Sequence, residues 1–256
     1  MRALARALLA LLLVAPASAG ATRARPSVAL TASPAHVMLQ GTGRATVRVT
    51  NSGKSRVVLD IRRAGFALGL RGRPEILAGS RRSANAWLAI RPRQLALRPG
   101  RSTALTISAR VPHGAEPGDH DALVLLISRP RRHAGLAVRM RLGVHVVVRA
   151  PGRIVRRLVL RRLGVRRQGR TRILELVVGN RGNVTEELER ERISLSLRRG
   201  RALVRLRPEP RELLPHSRGV VQFRYRGRMT GWVDALASIA PASGGLSIYR
   251  SFRIRL

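Results

Sequence analysis

The 256-residue chain has no cysteine, a single lysine at Lys54 and only 3% aromatic residues. Without cysteine, disulfides, thiolate metal sites and thiol nucleophiles are all excluded. Packing alone must hold the fold, which is feasible for domains of about 100 residues or more. Two Trp, two Tyr and three Phe make the core aliphatic. They also leave too few ring platforms for specific single-stranded nucleic-acid binding. Acids are scarce too. The only aspartates are Asp60, Asp119, Asp121 and Asp234, and the six histidines are scattered with no H-x-x-x-H pair. There is no G-x-S-x-G elbow. The chain is therefore not expected to be an enzyme, and no cofactor or metal is expected. Beyond the N-terminus no run is long and apolar enough to span a bilayer, so no transmembrane anchor is expected after signal cleavage.

Positive charge is abundant: 50 basic residues against 13 acidic ones give a formal net charge of +37. Two causes compete. One is an anionic partner. The other is the codon bias of a GC-rich genome, which favours Arg over Lys and raises Ala, Gly and Pro. Whatever the cause, a chain this basic adsorbs to polyanions at low salt.

Residues 1–19 carry a basic start (Arg2, Arg6), an apolar run from Ala7 to Ala15 and the small-x-small site Ala17-Ser18-Ala19. This is the pattern of a secretory signal peptide, followed by a flexible leader at 20–26.

The remainder is organised around Trp87 to Ser128, where short apolar runs alternate with Pro and Gly turns: strand, turn, strand, turn, strand. Ala45, Val47 and Val49 alternate with Arg44, Thr46 and Arg48, as in a half-buried strand, and Asn51-Ser52-Gly53 turns the chain. Val57 to Ile61 returns, and 64–84 reads as a loop with at most a short strand near Phe66. Leu123 to Ile127 has no polar interruption and suits a central strand. In the longest strand Leu136, Val138, Met140, Leu142, Val144, Val146 and Val148 share one phase. About seven strands predict an immunoglobulin-like sandwich over 27–150. Pro151-Gly152 marks a linker at 151–153, and over 154–256 the signals recur. Asn180-Arg181-Gly182 echoes Asn51-Ser52-Gly53, Leu214-Pro215-His216-Ser217 echoes Arg98-Pro99-Gly100-Arg101-Ser102, and Gly231 to Leu236 matches Gly118 to Leu123 as G-x-x-D-A-L. The fold class expected is all-β: two tandem immunoglobulin-like antiparallel β-sandwiches after an N-terminal signal peptide.

Candidate sites are few. Asp119-His120-Asp121 reads as strand-entry polarity, with the two carboxylates on one face and His120 on the other. The sharpest charged feature is the basic run 153–172, with Arg156-Arg157, Arg161-Arg162 and Arg166-Arg167. It is a candidate anion-binding surface, or else an edge strand whose charge blocks edge pairing. Arg131 and Arg132 form a second basic loop with the same two readings. Glu186, Glu187, Glu189 and Glu191 read as a solvated loop or short helical turn. Trp87 belongs in core or sheet surface, while Trp232, at a strand entry, is open to either a packing or a stacking role. Asn183-Val184-Thr185 fits a glycosylation sequon, discounted because signal and composition look bacterial.

The Trp87-Leu88 strand, Leu97-x-Pro-Gly-x-Ser at 97–102, Val-Pro-x-x-Ala-x-Pro-Gly at 111–118 and the long strand ending at Pro151-Gly152 resemble the N-terminal domain of bacterial WxL-interacting proteins. The same trace is distantly like the periplasmic pilus-chaperone sandwiches. The WxL resemblance covers 27–150 and implies tandem immunoglobulin-like domains that bind peptidoglycan and wall proteins. That family typically ends in a membrane helix, whereas this sequence ends in the strand pattern Tyr249 to Leu256. The expectation is an exported, non-enzymatic envelope protein that binds a cell-wall polymer or a surface protein. The alternative is a chaperone-like assembly protein that binds client strands.

Overall fold

The computed structural model describes residues 29–78, 83–133, 136–189, 192–240 and 246–256, with the side chains of 131–133 and 136–138 excepted. The expected signal peptide at 1–19 and leader at 20–26 lie outside the described residues.

In chain order the first half contains β1 (Leu30–Ser33), β2 (His36–Gln40), β3 (Arg44–Asn51), β4 (Val57–Leu68), β5 (Pro74–Leu77), β6 (Leu88–Arg91), β7 (Gln94–Leu97), β8 (Ser102–Ala109), β9 (Gly118–Ser128), β10 (Arg131–His133), β11 (Leu136–Val138) and β12 (Arg141–Ala150). The second half continues with β13 (Leu158–Gln168), β14 (Thr171–Asn180), β15 (Glu186–Leu188), β16 (Ile193–Arg199), β17 (Ala202–Leu206), β18 (Arg211–Leu213), β19 (Arg218–Tyr225), β20 (Trp232–Ile239) and β21 (Ile248–Arg255). No described strand pairs across the two halves, and each half has its own aliphatic core. The result is two immunoglobulin-like sandwiches in tandem, as the alternating patterns predict.

In the first sandwich, β1-β3-β8-β6 faces β2-β12-β9-β4-β5, with β7 also pairing β4. The chain changes sheets between β1 and β2, so β2 lies parallel to β12 while the other pairs are antiparallel. The uninterrupted β9 sits between β12 and β4, the central place its sequence predicts. Val47, Val49, Leu105, Ile107, Val124, Leu126, Val144 and Val146 are fully buried between the layers. Three elements differ from expectation. The long strand expected from Leu136 to Val148 is broken at 139–140, so that β11 pairs β10 while β12 pairs β9 and β2. The Gly- and Arg-rich stretch after Ile61 extends β4 to Leu68 and returns as β5. Trp87 closes a 3-10 turn capped by Ser83, and the strand begins at Leu88. Local Gly and Arg content hides the extension of β4, because neighbours on the sheet supply the pairing.

The second sandwich sets β13-β14-β19 against β17-β16-β20-β21. Its core contains Leu174, Leu176, Leu195, Leu197, Val221 and Phe223, all fully buried. The two halves share a corner device. Asn51 accepts from Gly53 N and donates to Ser55 O and Leu97 O. Asn180 accepts from Gly182 N and donates to Val184 O, Leu213 O and Leu214 O. Both amides are buried, so each replaces a turn's water with internal partners. Across from them, Asn51 N donates to Arg101 O and Asn180 N to Ser217 O. The echoed loops even share left-handed backbone, at Gly100 (φ 71°) and His216 (φ 54°).

Candidate functional site

The site is built where β9 and β12 of the first sandwich meet the second. Gly118 opens β9 at φ 112° directly against the second half, where a Cβ would lie 2.0 Å from Asn183 O. The next residue, Asp119, has a fully buried carboxylate. It takes Arg149 Nε at 2.6 Å and Nη2 at 2.9 Å, a two-pronged pair, and Thr185 N at 2.8 Å from the second half. The Asp119 carboxylate raises the Arg149 guanidinium above its ordinary value. Asp119 N donates to Asn183 O, and Asn183 Nδ2 donates to Pro117 O at 2.8 Å and Arg153 O at 2.9 Å. One residue therefore ties β9, β12 and the second sandwich together.

A second bridge lies at the β4–β5 turn. Val220 N donates to Leu70 O, and Arg211 Nη2 donates to Gly69 O at 3.0 Å. Burial pushes the Arg211 guanidinium below its usual value. Arg71 and Arg166 both reach Glu175, at 3.0 and 3.4 Å, and the hydrogen bond from Arg71 leads in holding that carboxyl below the ordinary range. Glu116 and His216 pair at 3.1 Å across the same junction. Between these bridges lies a cavity of about 190 Å³, lined by Phe66, Glu116, His120 and Asp121 from one half and by Leu214 and His216 from the other.

On the outer face of β2-β12-β9-β4, His145 Nε2 donates to Asp121 Oδ1 at 2.8 Å. Its ring stacks on His36 at 4.8 Å and meets Phe66 at 4.2 Å. Beside it Ala64, Leu123 and Leu125 form a small apolar cluster with Phe66 and Ile127. Asp119 and Asp121 share this face as predicted. His120 points to the other side, donating to Glu116 O at 2.7 Å and packing against the partly buried Trp87 at 4.4 Å. Among the described residues no cluster of His, Asp and Glu is placed to hold a metal ion.

The edge of β12 is the distinctive feature. β9 pairs its whole length, from Arg141 to Ala150. On the other edge β2 pairs only His145 to Arg149. Among the described residues no strand covers that edge along Arg141–Val144. The backbone groups of such an edge invite another strand.

The sequence-predicted arginines are distributed along a hairpin. Arg156 lies before β13 and pairs with Glu186 at 2.9 Å, and Arg157 is exposed beside it. Arg161 is the bulged residue where the β13–β14 register shifts, with Nε buried and without a hydrogen-bond partner. Arg162, Arg166 and Arg167 are exposed, and Arg166 is engaged by Glu175. β13 is an edge strand of its sheet. Arg131 and Arg132 pair with Val138 and Ala137 through the β10–β11 backbone, and their side chains lie outside the described residues. The acidic run differs from expectation. Glu186 is buried in β15 and held by Arg156 and by Arg192 at 2.8 Å, because a carboxylate with two guanidinium partners can leave water. Glu191 lies outside the described residues. Sequence reasoning missed the roles of Asp119, Arg149, Glu186 and His145. The only available signal was the buried-strand pattern surrounding Asp119-His120-Asp121, which implies that those charges need partners.

No family model matches the chain, and no curated protein matches it. Solved structures match over most of its length. The class 5 fimbriae chaperone CfaA is 11% identical with a TM-score of 0.51, covering 87% of this chain and 98% of that one. A chain from a chaperone–tip adhesin complex of CFA/I fimbriae biogenesis is 11% identical with a TM-score of 0.50, over the same shares. The likeness is one of fold, and it corrects the expected relationship: the architecture is similar to that of fimbrial chaperones and not to that of WxL-interacting proteins. The turn and strand signatures that carried the latter resemblance recur in any sandwich with these corners.

Proposed function

We propose that the protein is an exported, non-enzymatic assembly chaperone of the cell envelope that holds client protein strands against the open edge of β12. The observation that carries this reading is the uncovered edge at Arg141–Val144, which continues a strand paired on its other side along its full length. A client strand added there completes backbone hydrogen bonds, while alternate side chains set specificity. The half-buried Leu142, with Met140 just before β12, supplies apolar contacts for such a strand. Similarity in fold to fimbrial chaperones supports client binding over the wall-polymer reading. The signal-peptide pattern at 1–19 supports export.

The test is photocrosslinking in the source organism from a reactive residue at position 141, with position 76 as the control. Ile76 is also exposed, on β5 of the same sheet. Adducts with an envelope protein from 141 but not from 76, retained at about 0.5 M salt where surface charge is screened, support the proposal. No adduct from 141, or equal adducts from both, sinks it.

A further inference from the structure

Among the described residues nothing covers the outer face of β17-β16-β20-β21, and its composition is not that of an ordinary solvated sheet. Strand alternation puts Val233, Ala235, Ala237 and Ile239 of β20 in the core and Trp232, Asp234 and Leu236 outside. Trp232 is 57% exposed, Leu203 68%, Tyr249 64% and Leu236 44%. The register shows how they are spaced. Leu236 sits between Ser196 of β16 and Ser251 of β21, so small neighbours leave it protruding. Trp232 lies opposite Arg255, and the Arg253 guanidinium lies 5.7 Å from its ring centroid. Arg198 pairs in register with both Leu203 and Asp234, and Arg205 with Ser196. Four arginines thus surround four large apolar side chains, with Asp234 the one acid among them.

We propose that this face docks on an anionic lipid bilayer surface. Trp and Tyr sit at the headgroup level of such a surface, Leu reaches the acyl boundary, and Arg pairs with phosphates. Three observations select this occupant. The face is the flat side of a sheet whose inner strands β16 and β20 are paired on both edges, so it offers side chains and no backbone ladder to a partner strand. A second copy of the chain would bring like charges together, in a protein carrying +37 overall. The protruding apolar groups are interleaved with cations, which is the arrangement an anionic interface complements. The face belongs to a different sheet from β12, so this inference and the client-binding reading stand or fall separately.

Charge alone would bring so basic a protein to anionic vesicles, so the test must read orientation. The full chain with Trp87→Phe leaves Trp232 as the only tryptophan. Its comparator, Trp87→Phe/Trp232→Phe/Ile76→Trp, reports from the first sandwich. Both are mixed with vesicles containing about 30% phosphatidylglycerol and with neutral phosphatidylcholine vesicles, each with brominated acyl chains, at about 0.15 M salt. The expected result is a blue shift and strong quenching of Trp232 on anionic vesicles only, with quenching at least about threefold weaker from position 76. In the wild-type background, Leu203→Ser/Leu236→Ser leaves charge unchanged and is expected to weaken vesicle sedimentation about tenfold; both side chains are already exposed, so folding is spared. Equal quenching from both positions, no binding to either vesicle, or unchanged sedimentation of the double variant overturns the proposal.

Discussion

The motif G-x-x-D-A-L occurs once in each sandwich, and the two copies have opposite surroundings. In the first, Gly118 to Leu123 is buried at every position along β9. In the second, Gly231 precedes β20, whose residues alternate between exposed and buried. Asp119 binds Arg149 and the second sandwich, whereas Trp232, at the matching position, stands 57% exposed. The same local sequence can therefore open a strand covered on both faces or a strand covered on one. What decides is whether another layer lies against the outer face: for β9 the second sandwich and the His145–Phe66 cluster do, and for β20 nothing described does. The outer-face side chains differ accordingly, charged pairs in one and Trp, Leu and Arg in the other.

Removing the paired charge breaks the comparison most sharply. Asp119→Ala strands Arg149 partly buried and leaves Thr185 N without its acceptor, so the expected loss is about 3–5 kcal/mol. Asp234→Ala, at the position that matches Asp121 in the other copy of the motif, removes an exposed carboxylate and is expected to change stability by less than about 0.5 kcal/mol. Urea unfolding of both variants checks the pair; equal losses would refute the assigned difference.

The opening glycines give the next contrast. Gly118→Ala forces a Cβ into Asn183 O, a backbone atom that cannot swing aside, at a φ that side chains rarely adopt. A loss of about 2–4 kcal/mol follows, with the junction loosened. Gly231→Ala has no atom nearer than 3.8 Å and costs only its left-handed backbone, about 1 kcal/mol. Thermal unfolding separates them. A G118A protein as stable as G231A would mean the two halves do not meet at Asn183.

Where the halves resemble each other, the effects should match. Asn51→Ala and Asn180→Ala each leave buried backbone groups unpartnered, at an expected cost of about 2–3 kcal/mol apiece. Asn180 is expected to be the larger because it serves one more carbonyl. Unequal losses in the opposite order would show that the corners are alike in shape and not in energy.

This recurrence explains how much was legible in the sequence. Alternation in Ala45, Val47 and Val49 and the uninterrupted run Leu123 to Ile127 fix strands because burial has a period of two in one and a covered outer face in the other. The asparagine corners and the proline and glycine loops are local, so their echo across the halves is visible without a structure. The partners of Asp119, Glu186 and His145 were not legible. Each lies far off in the chain, brought near only by sheet register and by the loops that join the strands. The arginine pairs at 156–167 show the converse. Adjacent in sequence, they are separated by strand alternation and by the bulge at Arg161, and two of them are engaged by acids within the chain.

The smallest effect distinguishes a bridge between the halves from an ion pair within one. Glu175 is held below the ordinary carboxylate range chiefly by the hydrogen bond from Arg71, across the junction. Asp60 is also lowered, chiefly by its bond to Arg129, but both ends of that pair lie in the first sandwich at an exposed surface. A carboxyl whose folded value lies below its unfolded one stabilises the fold above the unfolded value. That contribution is lost as the pH falls through the folded value. The Arg71 link is thus complete near neutrality and disappears only in acid, below the ordinary range for Glu. Because Arg71 is 61% exposed, solvent screens the link and its contribution is expected to be small. Glu175→Gln should therefore unfold slightly more easily than wild type at about pH 7, and the difference should shrink as the pH falls below the ordinary glutamate range. Asp60→Asn serves as the control, with no coupling to the second sandwich. A deficit in Glu175→Gln that persists undiminished in acid would mean that the glutamate acts through packing and not through its charge.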